Sequence, residues 1–101
     1  MLTTFTISVD TLNMDKQVIK YWAVGCGNCK AMEPTMKQLE AERPDVTFKS
    51  VNIADEPETA EKHEVASLPA LVFLKDGEMV ASMAGLKPKS LILKKIIEVF
   101  E

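Results

Sequence analysis

The stretch Gln17-Val18-Ile19-Lys20-Tyr21-Trp22-Ala23-Val24-Gly25-Cys26-Gly27-Asn28-Cys29-Lys30 holds both cysteines of the chain and spaces them Cys-x-x-Cys. Its first half, residues 17–23, is β-branched and aromatic and reads as a strand. From Lys30 to Arg43 the apolar residues recur at helical spacing. The cysteines therefore fall where a strand hands over to a helix, with Cys26 at or next to the helix N-terminus. Unpaired N–H groups and a partial positive charge at that end favour an anion. A thiol placed there ionises more easily, and the thiolate is the reactive form. Cys29 follows one turn later on the same face, within reach of a short disulfide. A pair that can be either dithiol or disulfide points to redox exchange.

Downstream, Cys29, Met32, Met36 and Leu39 form the stripe that this helix should bury, with Lys30, Glu33, Lys37, Glu40 and Glu42 toward water. Pro34 lies inside that pattern and should kink the helix about one turn after the cysteines. Residues 46–53 read as a strand, Asp55-Glu56-Pro57 opens a short helix to about Glu64, and residues 70–74 form an apolar strand. Lys75-Asp76-Gly77-Glu78 is a hairpin turn, because Asp-Gly tolerates positive φ. It leads into a strand over 79–84, where Met79 and Met83 join Met32 and Met36 as packing residues. Gly85 breaks the pattern, Pro88 suits a first helical turn, and Leu91 to Phe100 is a closing amphipathic helix. Upstream, residues 4–9 alternate as a half-buried strand does, and residues 10–15 form a turn or short helical piece. The order β-α-β-α-β-α-β-β-α implies parallel crossovers in the first half and a hairpin in the second. An α/β fold with a central mixed sheet, flanked by helices on both faces, is expected.

A chain of 101 residues is expected to form one domain, residues 1–101. Its net charge is −3 with acidic and basic residues interspersed, which argues against a nucleic-acid partner. No apolar run approaches the ~20 residues that span a bilayer, so no membrane partner is expected. The segment Met1-Leu2-Thr3-Thr4-Phe5-Thr6 lacks a positive n-region and an apolar h-region, and a cytoplasmic location without a signal peptide is expected. Two cysteines are too few for a secreted disulfide scaffold. Two thiols and the single His63 fall short of the four ligands of structural zinc, so no metal is expected. Neither Gly-x-Gly-x-x-Gly nor a P-loop occurs, and the cysteine pair itself is the one redox group expected. His63, among Glu58, Glu61, Lys62 and Glu64, reads as a solvated surface histidine. Lys20, late in a core strand, either snorkels to solvent or acts electrostatically on the thiols. The sheet needs no partner to complete it, so a monomer is expected.

Trp22-Ala23, Cys26-Gly27-x-Cys29-Lys30, Pro34, Asn52-Ile53, Pro57, Leu68-Pro69, Phe73, Asp76-Gly77 and Gly85 stand in an order and spacing that resembles the thioredoxin family over nearly the full chain. The resemblance implies a thioredoxin fold and a thiol-disulfide oxidoreductase that passes two electrons to protein disulfides. An NADPH-dependent thioredoxin reductase would recharge it. Cys26 would be the nucleophile and Cys29 the resolving thiol, with a cis proline at Pro69. The backbone of Leu68 would pair with substrate as an added strand, and Trp22, Gly25, Pro69 and Gly85 would surround it. Gly27, Asn28, Pro69 and Lys20 would tune the pair.

Four positions depart from the family pattern. Asn28 replaces the proline usual between the cysteines, which makes the helix start less rigid. Gly25 replaces the tryptophan usual before the first cysteine. Lys20 stands where a buried aspartate is usual, and Ser50 where that aspartate has its lysine partner. If the Lys20 charge reaches the thiols, it stabilises the thiolate and weakens the protein as a reductant. Two rival readings stand beside the reductase. A glutaredoxin-like, glutathione-linked oxidoreductase is favoured by the missing tryptophan and opposed by Trp22 and Pro34. A redox-inactive docking module would leave the cysteines incidental.

Overall fold

In the computed structural model, which describes residues 15–101, the run Lys16–Trp22 forms strand β1 and divides its side chains between two apolar clusters. Val18 joins Leu71 and Phe73 on one face of the sheet, whereas Ile19 and Tyr21 join Ala70, Val72 and Leu74 on the other. This is the period of two that a strand imposes. Both faces of β1 are buried, as the unbroken apolar run implied.

The other elements follow as α1 (Gly27–Ala31), α2 (Glu33–Glu42), β2 (Thr47–Asn52), α3 (Pro57–Lys62), β3 (Ala70–Lys75), β4 (Glu78–Ala84) and α4 (Lys89–Phe100). The described strands lie in the order β2-β1-β3-β4. β1 and β2 are parallel across the α1–α2 crossover, and β3 runs antiparallel to both β1 and β4. Met32 and Leu39, with Ile92, Ile96 and Phe100 of α4, cover the Val18 face, while Ala60 of α3 packs on the Tyr21 face. The result is the expected α/β arrangement, a mixed sheet between helices. The strand expected over 4–9, and residues 10–14 of the turn expected over 10–15, lie outside the described residues.

The structure departs from the expected elements at several points. The helix after the cysteines is two helices, with Met32 as the hinge between α1 and α2. Pro34 occupies the first turn of α2, where its missing N–H has no helical partner to lose. It therefore starts a helix rather than kinking one, and Met36 is only half-buried. Pro88 sits just outside α4 as its N-cap, and the helix begins at Lys89.

Met79 is exposed (42%) rather than packed. A bulge pairs Leu74 with Met79 and Phe73 with Ala81, leaving Val80 without an opposite residue. One extra residue inverts the alternation. Ala81 and Met83 keep the Val18 face, and Met79 is turned to the opposite one. The turn feeding β4 has positive φ at both Asp76 (54°) and Gly77 (85°), as a two-residue hairpin demands.

His63 is not a solvated surface residue. It closes α3, and its Nδ1 shares a 2.7 Å hydrogen bond with the hydroxyl of Tyr21, the rings lying 6.0 Å apart. Burial, aided by Lys62, lowers its pKa below the ordinary 6.5. A histidine depressed in the folded state binds fewer protons there than when unfolded. Its contribution is therefore complete above about pH 6.5 and is lost as pH falls through the folded value. The His63 ring resonances should titrate with a midpoint below that of a free histidine, and stability against urea should decline over the same window. A midpoint at or above 6.5 would contradict the packing of His63 on Tyr21.

Candidate active site

β1 ends at Trp22, and the chain turns over Ala23–Gly25 before Cys26, whose N–H donates to the Ala23 carbonyl at 3.3 Å. Gly25 has φ +86°, a conformation that glycine adopts freely. A Cβ there would meet no atom within 4 Å, so the backbone, not space, selects glycine. A residue with a Cβ would hold this positive φ at a cost of about 1–2 kcal/mol.

Cys26 is the N-cap of α1, and its Sγ accepts the Cys29 N–H at 3.1 Å. The two cysteines are joined in a disulfide with Cα atoms 5.3 Å apart. They are unequal: Cys29 is 3% exposed, while Cys26 is only half-buried at the mouth of α1. An attacking group can reach one sulfur far more readily than the other.

Lys20 shares its face of β1 with Val18, beneath α1 and α2, and is 4% exposed. Its Nζ donates to the Cys29 carbonyl at 2.8 Å. Of the two readings of this lysine, snorkelling is therefore the one set aside. Desolvation lowers its pKa, and Glu33 in the first turn of α2 works against that shift. Ser50 is the residue paired with it across the parallel β1–β2 ladder, and Leu71 across β3. A cavity of about 230 Å³ at the disulfide is lined by Lys20, Trp22, Val24, Gly25, Cys26 and Cys29, among others. Lys20 and Glu33 also border a second cavity of about 310 Å³ that extends along α2 and β2 to Ser50.

The remaining expected site residues approach from β3. The Leu68–Pro69 bond is cis, and Pro69 is buried directly before β3. Tyr21 pairs with Ala70, which sets Pro69 beside the Trp22 end of β1. Gly85, at φ +86°, donates its N–H to the Pro69 carbonyl at 2.7 Å. The Leu68 side chain packs inward against the Tyr21 cluster. Gly27 and Asn28 lie exposed on α1, apart from the cavity lining, and the Asn28 carbonyl accepts the Met32 N–H at the hinge.

Two residues were not foreseen. Glu33 is exposed, as its water-facing position in the helix implies, and it also borders both cavities with Lys20 and acts on the lysine's charge. Val24 is 85% exposed, an apolar side chain at the rim next to Gly25 and Cys26. Among the described residues no group of three or more metal-ligating side chains converges, and none of the described helices is long and apolar enough to cross a membrane.

The family model for thioredoxin matches residues 2–98. The thioredoxin of Mycobacterium tuberculosis is 33% identical over 100 residues, covering 97% of this chain and 86% of the relative. That of Chlamydia trachomatis is 38% identical over 87 residues, covering 86% and 85%. The oxidised mitochondrial thioredoxin 3 of Saccharomyces cerevisiae superposes with a TM-score of 0.80 at 32% identity, over 97% of this chain and 90% of that one. A family match from residue 2 to residue 98, carried by the same sheet and an oxidised Cys-x-x-Cys pair, makes this chain a member of the thioredoxin family and a thiol-disulfide oxidoreductase.

Proposed function

We propose that the protein reduces protein disulfides by dithiol exchange at Cys26-Gly27-Asn28-Cys29. The unequal exposure of the two cysteines carries this reading. In the reduced protein, Cys26 is the thiolate a substrate can meet, and the Cys29 N–H stands at hydrogen-bonding distance from its sulfur. The thiolate attacks one sulfur of the substrate, expels the other as a thiolate, and leaves a mixed disulfide on Cys26. Cys29 loses its proton to solvent and attacks Cys26 Sγ. The Cys26–Cys29 bond forms, and the second substrate sulfur departs. Because Cys29 is held one turn away, its attack is intramolecular and outpaces competing thiols.

Leu68 supplies backbone to an extended substrate segment, since its side chain is occupied in the core. Trp22, Gly25, Pro69 and Gly85 frame that segment. One domain, residues 1–101, carries out the reaction in the cytoplasm as a monomer, with the disulfide as its redox group and an NADPH-dependent thioredoxin reductase as its electron source.

Insulin reduction tests this. With NADPH and thioredoxin reductase, the protein should precipitate the insulin B chain catalytically. Activity supported only by glutathione and its reductase would assign the protein to the glutaredoxin-like class, which the bare Gly25 beside Cys26 favours. No activity with either donor, and no reversible transition of the pair in a graded thiol-disulfide buffer, would leave a docking module.

A further inference from the structure

We propose that Lys20 is a positioning residue of the redox pair: its head group, seated on the Cys29 carbonyl from inside the sheet, favours the reduced, thiolate-bearing state over the disulfide. The inference rests on Cys26 and Cys29 being an exchange pair.

A lysine at 4% exposure surrenders most of its hydration, and a sheet face that holds Val18, Leu71 and Phe73 gains nothing from a cation. Its opposite residue on β3 is the apolar Leu71, and its neighbour on β2 is the uncharged Ser50. The head group is directed at the backbone of one cysteine, at 2.8 Å. Lys20, Cys26 and Cys29 line the same cavity, which sets the lysine on the disulfide side of the sheet. Other charges border the lysine's surroundings. Glu33 and Lys30 lie on the disulfide side, and Lys37 and Glu40 from α2 with Lys49 from β2 lie on the far side. Glu33 is the acid that acts on Lys20.

The consequence follows from where charge arises. When a dithiol donor reduces the pair, two electrons enter and the Cys26–Cys29 bond breaks. The donor leaves as a disulfide, one protein sulfur keeps a proton, and the other is a thiolate whose proton goes to solvent. The disulfide is neutral and the thiolate is not, so a cation held inside the protein stabilises only the reduced state. Glu33, itself exposed, supports the charged form of Lys20 against the desolvation that burial imposes.

The test is equilibration of the full chain with graded reduced and oxidised dithiothreitol, read by thiol labelling, beside a pH titration of the reactive thiol. Lys20→Met should raise the thiol pKa and move the equilibrium about tenfold toward the disulfide, close to 30 mV for a two-electron couple. Lys20→Gln, which can still donate to the Cys29 carbonyl but carries no charge, should move both in the same direction, and it answers the question even if Lys20→Met does not fold. A folded Lys20→Met with unchanged thiol pKa and unchanged equilibrium overturns the proposal, as does an unchanged Lys20→Gln where Lys20→Met cannot be folded. A wild-type pair with no reversible transition overturns the exchange reading, and this one with it. A wild-type pair that exchanges while the variants match it overturns the role of Lys20 alone.

Discussion

A Cys29→Ser chain mixed with a disulfide-bonded protein should stop half-way, as a mixed disulfide on Cys26 that accumulates and is seen as a single adduct mass. Catalytic reduction of insulin should fall about 10³-fold or more, since the intramolecular attack that releases substrate is gone and effective molarities of that kind are very large. Cys26→Ser should lose turnover to the same extent but form no adduct, because the remaining thiol is 3% exposed. The two variants thus differ in kind, and the difference reports which sulfur meets substrate. Either variant reducing insulin at near the wild-type rate would break the division of roles. So would an adduct on Cys29 in Cys26→Ser, which would mean that the helix opens far enough to expose the inner sulfur. The serine hydroxyl can accept the Cys29 N–H as the N-cap in place of Cys26 Sγ, so the first turn of α1 should stay closed over the inner sulfur.

What was legible in the sequence is what is encoded within a few residues. The strand, the cysteine spacing and the following helix are each local, and so is the Asp76-Gly77 turn with both residues at positive φ. What was not legible depends on partners distant in the chain. His63 is surrounded in sequence by charges, and only the fold brings the Tyr21 hydroxyl, 42 residues away, to its ring. Met79 alternates correctly with Ala81 and Met83, and a bulge at Val80, invisible in composition, turns it over. Alternation along β1 puts Lys20 on the same side as Val18. Its direction along that side depends on a carbonyl nine residues on. Pro34 is the intermediate case: a proline is plain in the sequence, but whether it kinks or begins a helix is decided by the hinge at Met32.

Phe73→Ala should be the most destabilising single truncation of the apolar face beneath the site. Phe73 is fully buried at the middle of β3, opposite Val18 on β1 and Ala81 on β4. Its ring meets Phe100 of α4 at 6.3 Å between centroids, tilted by 48°. Removing it leaves a void between sheet and helix that neither element can close, because both are pinned by Leu71, Ile92 and Ile96. Such truncations cost about 3–5 kcal/mol. Small domains have about 5–15 kcal/mol in all, and each kcal/mol moves the melting temperature of a domain this size by about 4 °C or more. A loss of at least 12 °C is therefore expected, against a change within about 0.5 kcal/mol for Val80→Ala at the exposed bulge. The two outcomes are separable by urea unfolding of the oxidised protein. The site itself should survive in the molecules that remain folded, since the Ala23–Cys26 turn and the Cys29 N–H bond are local. Adduct formation by a Phe73→Ala, Cys29→Ser double variant at low temperature should then match that of Cys29→Ser alone. A loss below about 1 kcal/mol would instead mean that α4 can follow the sheet inward, and that the face carrying Lys20 is held less firmly than its burial implies.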